Sequence, residues 1–253
     1  MTILECVGVA GSGKTFAAEE LVDYLDDQGV RTVHAMSRFG PSVHKATRVR
    51  RKCTAAAVET IRDPLAIFSL LLAVKRTRQT SRRDALSLVS KFVLLRALSR
   101  PGRRGEALVI FDQGALMAIW SSALNGLDHP CRELFQRPSW GWVLPDQVLQ
   151  VGASAELIER HLGQRLRRQS RLETMGDVER ETAIREGQQL ISELVSWWEI
   201  GAVQSDQKCV TIWNDGTVDF NQKLRAFASY LRENRCRAPL AEAAQGIEWT
   251  GVA

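Results

Sequence analysis

Three features of the chain point to a parallel α/β sheet flanked by helices. It opens with a strand, a glycine-rich turn, a helix and a second strand. A later run of continuous apolar residues, of the kind found in central parallel strands, ends on an aspartate. Helical periodicity fills most of the sequence between these two regions.

Ile3 to Val9 is a short apolar run rich in β-branched residues and predicts the first strand. Thr15 to Asp27 places Phe16, Ala17, Leu21, Val22 and Leu25 at helical spacing, and Gly29 ends that helix. Val30 to Met36 predicts a second strand. Asp63-Pro64 is a helix start, with an N-cap followed by proline at the first helical position, and predicts a mostly buried helix over Leu65 to Arg78. Ser81-Arg82-Arg83-Asp84 has the form of a capping box and opens a helix to about Ser99, broken by Pro101-Gly102-Arg103-Arg104-Gly105. Ala107 to Phe111 is the central strand. Val148 to Val151 follows Pro145-Asp146 as the next strand, and Ser154 caps a helix toward His161. Asp177 to Trp198 is a long helix, Cys209 to Trp213 the last strand, Val218 to Arg232 the last long helix, and 235–253 a loose tail.

A 253-residue chain with 45% hydrophobic and 25% charged residues is an ordinary globular composition. It excludes a wholly disordered chain, a collagen-like fibre and a coiled-coil rod. The longest apolar stretch, around Leu70 to Val74, is too short to span a bilayer. The N-terminus lacks the basic region and cleavage site of a signal peptide, so a cytoplasmic protein with no membrane association is expected. Five scattered cysteines without a Cys-x-x-Cys pair argue against a disulfide framework or a zinc knuckle. The net charge is +5, unevenly spread. Residues 31–104 hold 18 Lys or Arg against Glu59, Asp63 and Asp84, with the densest run at Arg48-Val49-Arg50-Arg51-Lys52. Such a block is either a set of solvated helix faces or a landing surface for an anionic partner.

The chemistry concentrates in Gly8-Val9-Ala10-Gly11-Ser12-Gly13-Lys14-Thr15, which matches the P-loop pattern in full. Glycines allow the unusual dihedrals of a loop wrapped round phosphate, and successive backbone N–H groups form an anion nest. The following helix adds its positive N-terminal end. Lys14 would reach the β- and γ-phosphates of ATP, and the Thr15 hydroxyl would ligate Mg²⁺. Gly8, Gly11, Ser12, Gly13, Lys14 and Thr15 are thus the expected cofactor-binding set. Asp112, at the end of the central strand, is expected beside this loop, where it would hold Mg²⁺ through water or accept a proton from an attacking hydroxyl. A third element is the arginine-rich stretch Arg160, Arg165, Arg167, Arg168 and Arg171, whose charge suits a mobile lid over a migrating phosphoryl group. His34, His44, His129 and His161 lack metal-ligand spacing and are expected to be structural or exposed. Trp140 and Trp142 are expected to pack, or to stack on a base; Trp197-Trp198 would belong to the core or to a dimer face.

With these elements in this order, the chain resembles the thymidylate kinase branch of the nucleoside monophosphate kinases over roughly residues 3–232. Val7 to Thr15 is similar to that family's phosphate loop, Val109 to Gln113 to its strand ending in Asp-Arg, Leu144-Pro145-Asp146 to the lead-in of its fourth strand, and Arg165 to Glu173 to its lid. The resemblance implies a P-loop NTPase fold with a five-stranded parallel sheet and an arginine-rich lid. It also implies transfer of the γ-phosphoryl group of Mg-ATP to a nucleotide or related anionic acceptor. Lys14, Asp112, Arg168 and Arg171 would then be catalytic, Thr15 and Asp112 would hold the metal, and Arg165 would touch the donor. Ala10 stands where the family carries an acidic residue and Gln113 where it carries arginine, so acceptor recognition is expected to differ. One kinase domain over 1–234 is expected, with its lid at about 160–175 and a basic helical acceptor region at about 38–104. Two other functions fit the same motif: a kinase acting on a hydroxyl of DNA or RNA through the basic 31–104 region, and a nucleotide-dependent regulatory ATPase without an acceptor.

Overall fold

The computed structural model describes residues 3–37, 44–125, 143–164, 172, 175–201 and 209–245. Five strands form one all-parallel sheet: β1 (Ile3–Val7), β2 (Thr32–His34), β3 (Leu108–Phe111), β4 (Gln147–Ala153) and β5 (Cys209–Asn214), in the order β2-β3-β1-β4-β5. Its centre is apolar on both faces apart from Glu5. Every residue of β1 and β3 is buried. The register sets Ile3 opposite Val109 and Glu5 opposite Phe111 on one side of β1, and Glu5 opposite Val148 on the other.

Alternation along the strands divides the core into two faces. Leu4, Cys6, Leu108, Ile110 and Leu149 point to one face, where α1 (Lys14–Asp27) and α8 (Val218–Gln245) cover them through Leu21, Leu25, Phe220 and Leu224. Ile3, Val109 and Phe111 point to the other face, with Val7 and Val148. There they meet α3 (Pro64–Arg76), α4 (Arg82–Arg103), α5 (Ala115–Asn125) and α7 (Asp177–Gly201). Two further helices, α2 (Lys45–Arg62) and α6 (Ala155–Gly163), complete the described elements. Among the described residues, no helix is long and apolar enough to cross a membrane.

Local signals set several boundaries. The Asp63 carboxylate accepts from the Ala66 amide and caps α3, the Ser81 hydroxyl accepts from the Asp84 amide and caps α4, and Ser154 does the same for α6. Other boundaries move. The first strand stops at Val7, because Gly8 already begins the loop, and β2 keeps only three of the seven residues expected. Helix α4 does not break at Pro101 but runs to Arg103. Proline in a last turn forfeits a single amide, and the helix ends instead where Gly105 turns left-handed at φ +70° and donates to the Gly102 carbonyl. The backbone of α8 stays helical to Gln245, well beyond Arg232 and into the stretch expected as tail.

Helix α3 is not mostly buried. Ile67, Leu70, Ala73 and Val74 face inward, but Leu65 is 81% exposed and Phe68 61%. It packs on the outside of α4 with one face only. Trp198 lies in the core and donates to the Pro145 carbonyl at 3.1 Å, whereas Trp140 and Trp142 fall outside the described residues.

Candidate functional site

The Gly8–Gly13 turn carries the chain from the carboxyl end of β1 into α1, whose first residue is Lys14. Gly11 and Gly13 take φ of +93° and +99°, which strains any residue with a Cβ. At Gly8 a Cβ would lie 2.6 Å from the Val151 carbonyl and collide with the Ser12 side chain. The turn closes on itself through Ser12 N–H to the Val9 carbonyl, and Lys14 Nζ reaches back to the same carbonyl at 3.3 Å. Two side chains from other elements hold it from outside. His161 on α6 donates from Nδ1 to the Gly11 carbonyl at 2.8 Å, and Asn214 at the end of β5 donates from Nδ2 to the Ser12 carbonyl at 2.9 Å. Asn214 is itself fixed, since its Oδ1 accepts from the Gly216 amide. No side chain caps α1, and its first turn holds no acidic residue, so its leading N–H groups face the loop.

Opposite the turn, β3 delivers Asp112. Its side chain is nearly buried, and Oδ2 accepts from the Thr15 hydroxyl at 2.9 Å. His34, at the end of β2, approaches from the other side with Nε2 3.5 Å from Asp112 Oδ1, a distance that pairing of β2 with β3 sets by placing His34 beside Ile110. Neither of those two buried atoms has a hydrogen-bond partner. Burial disfavours ionisation of Asp112 and is the largest single influence. The His34 ring, the Thr15 hydroxyl and the Lys14 charge together outweigh it, so the carboxyl is held below its usual range. His34, expected to be structural or exposed, lies against the aspartate that ends the central strand. His161, also set aside, holds the turn.

Glu5 was not anticipated at all. It is buried in the middle of β1, and its two oxygens accept from the Leu116 and Met117 amides at 3.0 and 2.9 Å, capping α5 from a distant strand. Any Cβ on Gly114 would collide with that carboxyl. Burial raises the Glu5 pKa to about 7, against the lowering effect of the backbone N–H groups around it.

Two cavities flank Lys14. One, of about 460 Å³, is walled by the turn, His161, Asn214 and the stacked pair Phe16 and Phe220, whose ring centroids are 6.1 Å apart. The other, of about 360 Å³, lies between Lys14, Thr15 and helices α2, α4 and α5, with Lys52, Lys91, Gln113 and Trp120 among its walls. Burial first, and the Lys52 charge second, hold Lys91 below the usual lysine range, with Asp84 opposing. Lys91 donates to the Ser121 hydroxyl at 3.4 Å, and the Trp120 indole N–H is anchored on the Gly187 carbonyl.

The structure thus brings together Gly8, Gly11, Ser12, Gly13, Lys14, Thr15 and Asp112. Arg165, Arg168 and Arg171, with Arg167, lie outside the described residues; Arg160 is exposed on α6. Among the described residues, no group of three or more His, Cys, Asp or Glu side chains is arranged to hold a metal alone.

These features define a parallel α/β protein whose glycine-rich turn is opposed by a buried aspartate. No protein-family model matches the chain, and no curated protein matches it either.

Proposed function

We propose that the protein is a P-loop kinase that transfers the γ-phosphoryl group of Mg-ATP to a nucleotide or related anionic acceptor. One observation carries this reading. Thr15, the last residue of the motif, is hydrogen-bonded to Asp112 across 97 positions of sequence, and the other Asp112 oxygen is buried without a hydrogen-bond partner. Buried carboxylates are paired or hold metals, and this one lies at the mouth of the glycine turn with Thr15 on one oxygen and His34 Nε2 3.5 Å from the other, where a motif-bound Mg²⁺ would be in reach.

The residues fit the cofactor. The turn amides and the uncapped start of α1 suit phosphate oxygens, Lys14 suits the outer phosphates, and Thr15 with Asp112 suits Mg²⁺. When bound, Mg-ATP supplies the transferable phosphoryl group and the charge that offsets its negative oxygens. Asn214 and His161 keep the turn in register from behind. The Phe16 and Phe220 rings offer an apolar wall for the donor base. Asp112 orients the Thr15 hydroxyl through Oδ2, with His34 Nε2 3.5 Å from its other oxygen. The smaller cavity on the far side of Lys14 is the acceptor pocket, where Lys52 and Lys91 provide charge in the place of the family's arginines.

Incubation with γ-labelled ATP and a panel of acceptors tests the assignment. Label on an acceptor, lost on the order of 10²–10³-fold in Lys14→Ala, is the expected result. Label only in free phosphate would favour a regulatory ATPase, and unchanged turnover in Lys14→Ala would remove the kinase.

A further inference from the structure

The acceptor pocket is not the only cationic cavity on its helices. Arg50, Arg51, Arg62 and Arg100 line a groove of about 930 Å³ along α2 and α4, with Val58 and Leu98 in its walls. The same two helices send Lys52 and Lys91 into the pocket beside Lys14. The acceptor pocket is lined by Lys91, Leu94 and Leu95 of α4, and the groove by Ala97, Leu98 and Arg100 further along the same helix.

We infer that the acceptor is a strand of nucleic acid, with the reacting nucleotide in the pocket beside Lys14 and the adjoining phosphates in the α2–α4 groove. The inference rests on the kinase reading for its chemistry and on the groove for its partner. A free nucleotide would occupy the 360 Å³ pocket and have no use for a second cavity more than twice as large. A bilayer presents a broad surface, which does not enter a groove between helices. From Arg50 to Arg62 helix α2 rises about 18 Å, long enough to follow several phosphates rather than one.

The local charge balance agrees. Glu59 is buried beneath the groove, with Oε1 on Arg96 and both oxygens on Arg100, and Asp63 takes the other end of Arg96. Two carboxylates therefore meet two guanidiniums beneath and beside the groove, while Arg50 and Arg62 bring further positive charge to its α2 wall. Trp120, half-buried and fixed by its indole N–H, gives the reacting base a ring to lie against. Transfer forms one P–O bond to a strand hydroxyl, breaks the β–γ P–O bond of ATP, releases ADP and loses the hydroxyl proton to solvent.

Fluorescence anisotropy of the full chain with labelled oligothymidylates of one, four and twelve nucleotides, without ATP, tests the groove directly. Affinity is expected to rise at least about tenfold from one to twelve nucleotides. It should fall with salt at a slope of about −0.7 per phosphate engaged. The triple variant R50A/R51A/R62A should lose about tenfold for the dodecamer, flatten the salt slope, and keep ATP affinity and melting temperature. An oligouridylate series tells RNA from DNA as the strand. Length-independent binding, full affinity in the triple variant, or phosphatidylserine vesicles that displace the dodecamer would each overturn the inference. Transfer to free nucleotides without strand binding sinks this inference and leaves the kinase; strand binding with no transfer to any acceptor sinks the kinase and leaves the groove.

Discussion

The two sides of Lys14 are built by different means. On the side proposed for the donor the contacts are backbone: glycines, carbonyls and amides, tied down by His161 and Asn214. On the side proposed for the acceptor they are long charged side chains on helices α2 and α4, braced by buried ion pairs under the groove. A backbone site leaves little room for change, since each glycine answers a steric demand. A side-chain site on helix surfaces is easily rewritten. On the proposed kinase reading, that difference explains how a chain can keep the full glycine-rich motif while its acceptor wall changes.

The largest effect expected from disturbing this contrast is on the acceptor side. Glu59→Ala leaves Arg96 and Arg100 without their shared buried partner and is expected to cost about 3–5 kcal/mol in a urea titration. The turn should survive, so ATP binding is retained at temperatures where the variant is folded. A loss below about 1 kcal/mol would mean that the helices are held by packing alone.

Glu5, which joins the two sides, is expected to make stability depend on pH. Its folded pKa of about 7 lies above the ordinary 4.5, so its contribution is fully present below pH 4.5 and is lost as pH rises through 7. The shift corresponds to about 3 kcal/mol over that window. Asp112 has the opposite sign. Its pKa is depressed, so its contribution is complete above the ordinary carboxylate value and is lost only as pH falls through its own lower one. Glu5→Gln should therefore flatten the unfolding free energy between pH 4.5 and 7, measured by urea titrations across the range, and leave the more acidic limb in place. An unchanged profile would assign the window to another group.

A smaller effect is expected on the donor side. Asn214→Ala removes the hydrogen bond to the Ser12 carbonyl and should weaken ATP binding by about 1–3 kcal/mol, read by calorimetry. Unaltered ATP affinity would show that the turn holds its shape unaided.

What could be read from the chain follows the same division. The turn, the strands around it and Asp112 were legible because glycine spacing and apolar runs are local signals. Helix α5 was not foreseen. Its residues Ala115 to Asn125 are apolar on nearly every side, which hides the period, and its cap is a glutamate 110 positions earlier in the chain. Helix α2 begins at Lys45, and His44 before it supplies no side-chain cap, so it lacked a start signal. The closeness of His34 to Asp112 depends on the register of β2 against β3, which nothing local encodes. Pro101 misled because a proline stops a helix interior but is tolerated in a final turn.

Five residues of β1 do double duty. Downstream, the strand launches the glycine turn; from its middle, Glu5 grips the leading amides of a helix that lines the opposite cavity. The missing side chain at Gly114 is what lets that grip close. One short strut thus bears on both cavities, and whatever effect filling one has on the affinity of the other must be returned by the same factor.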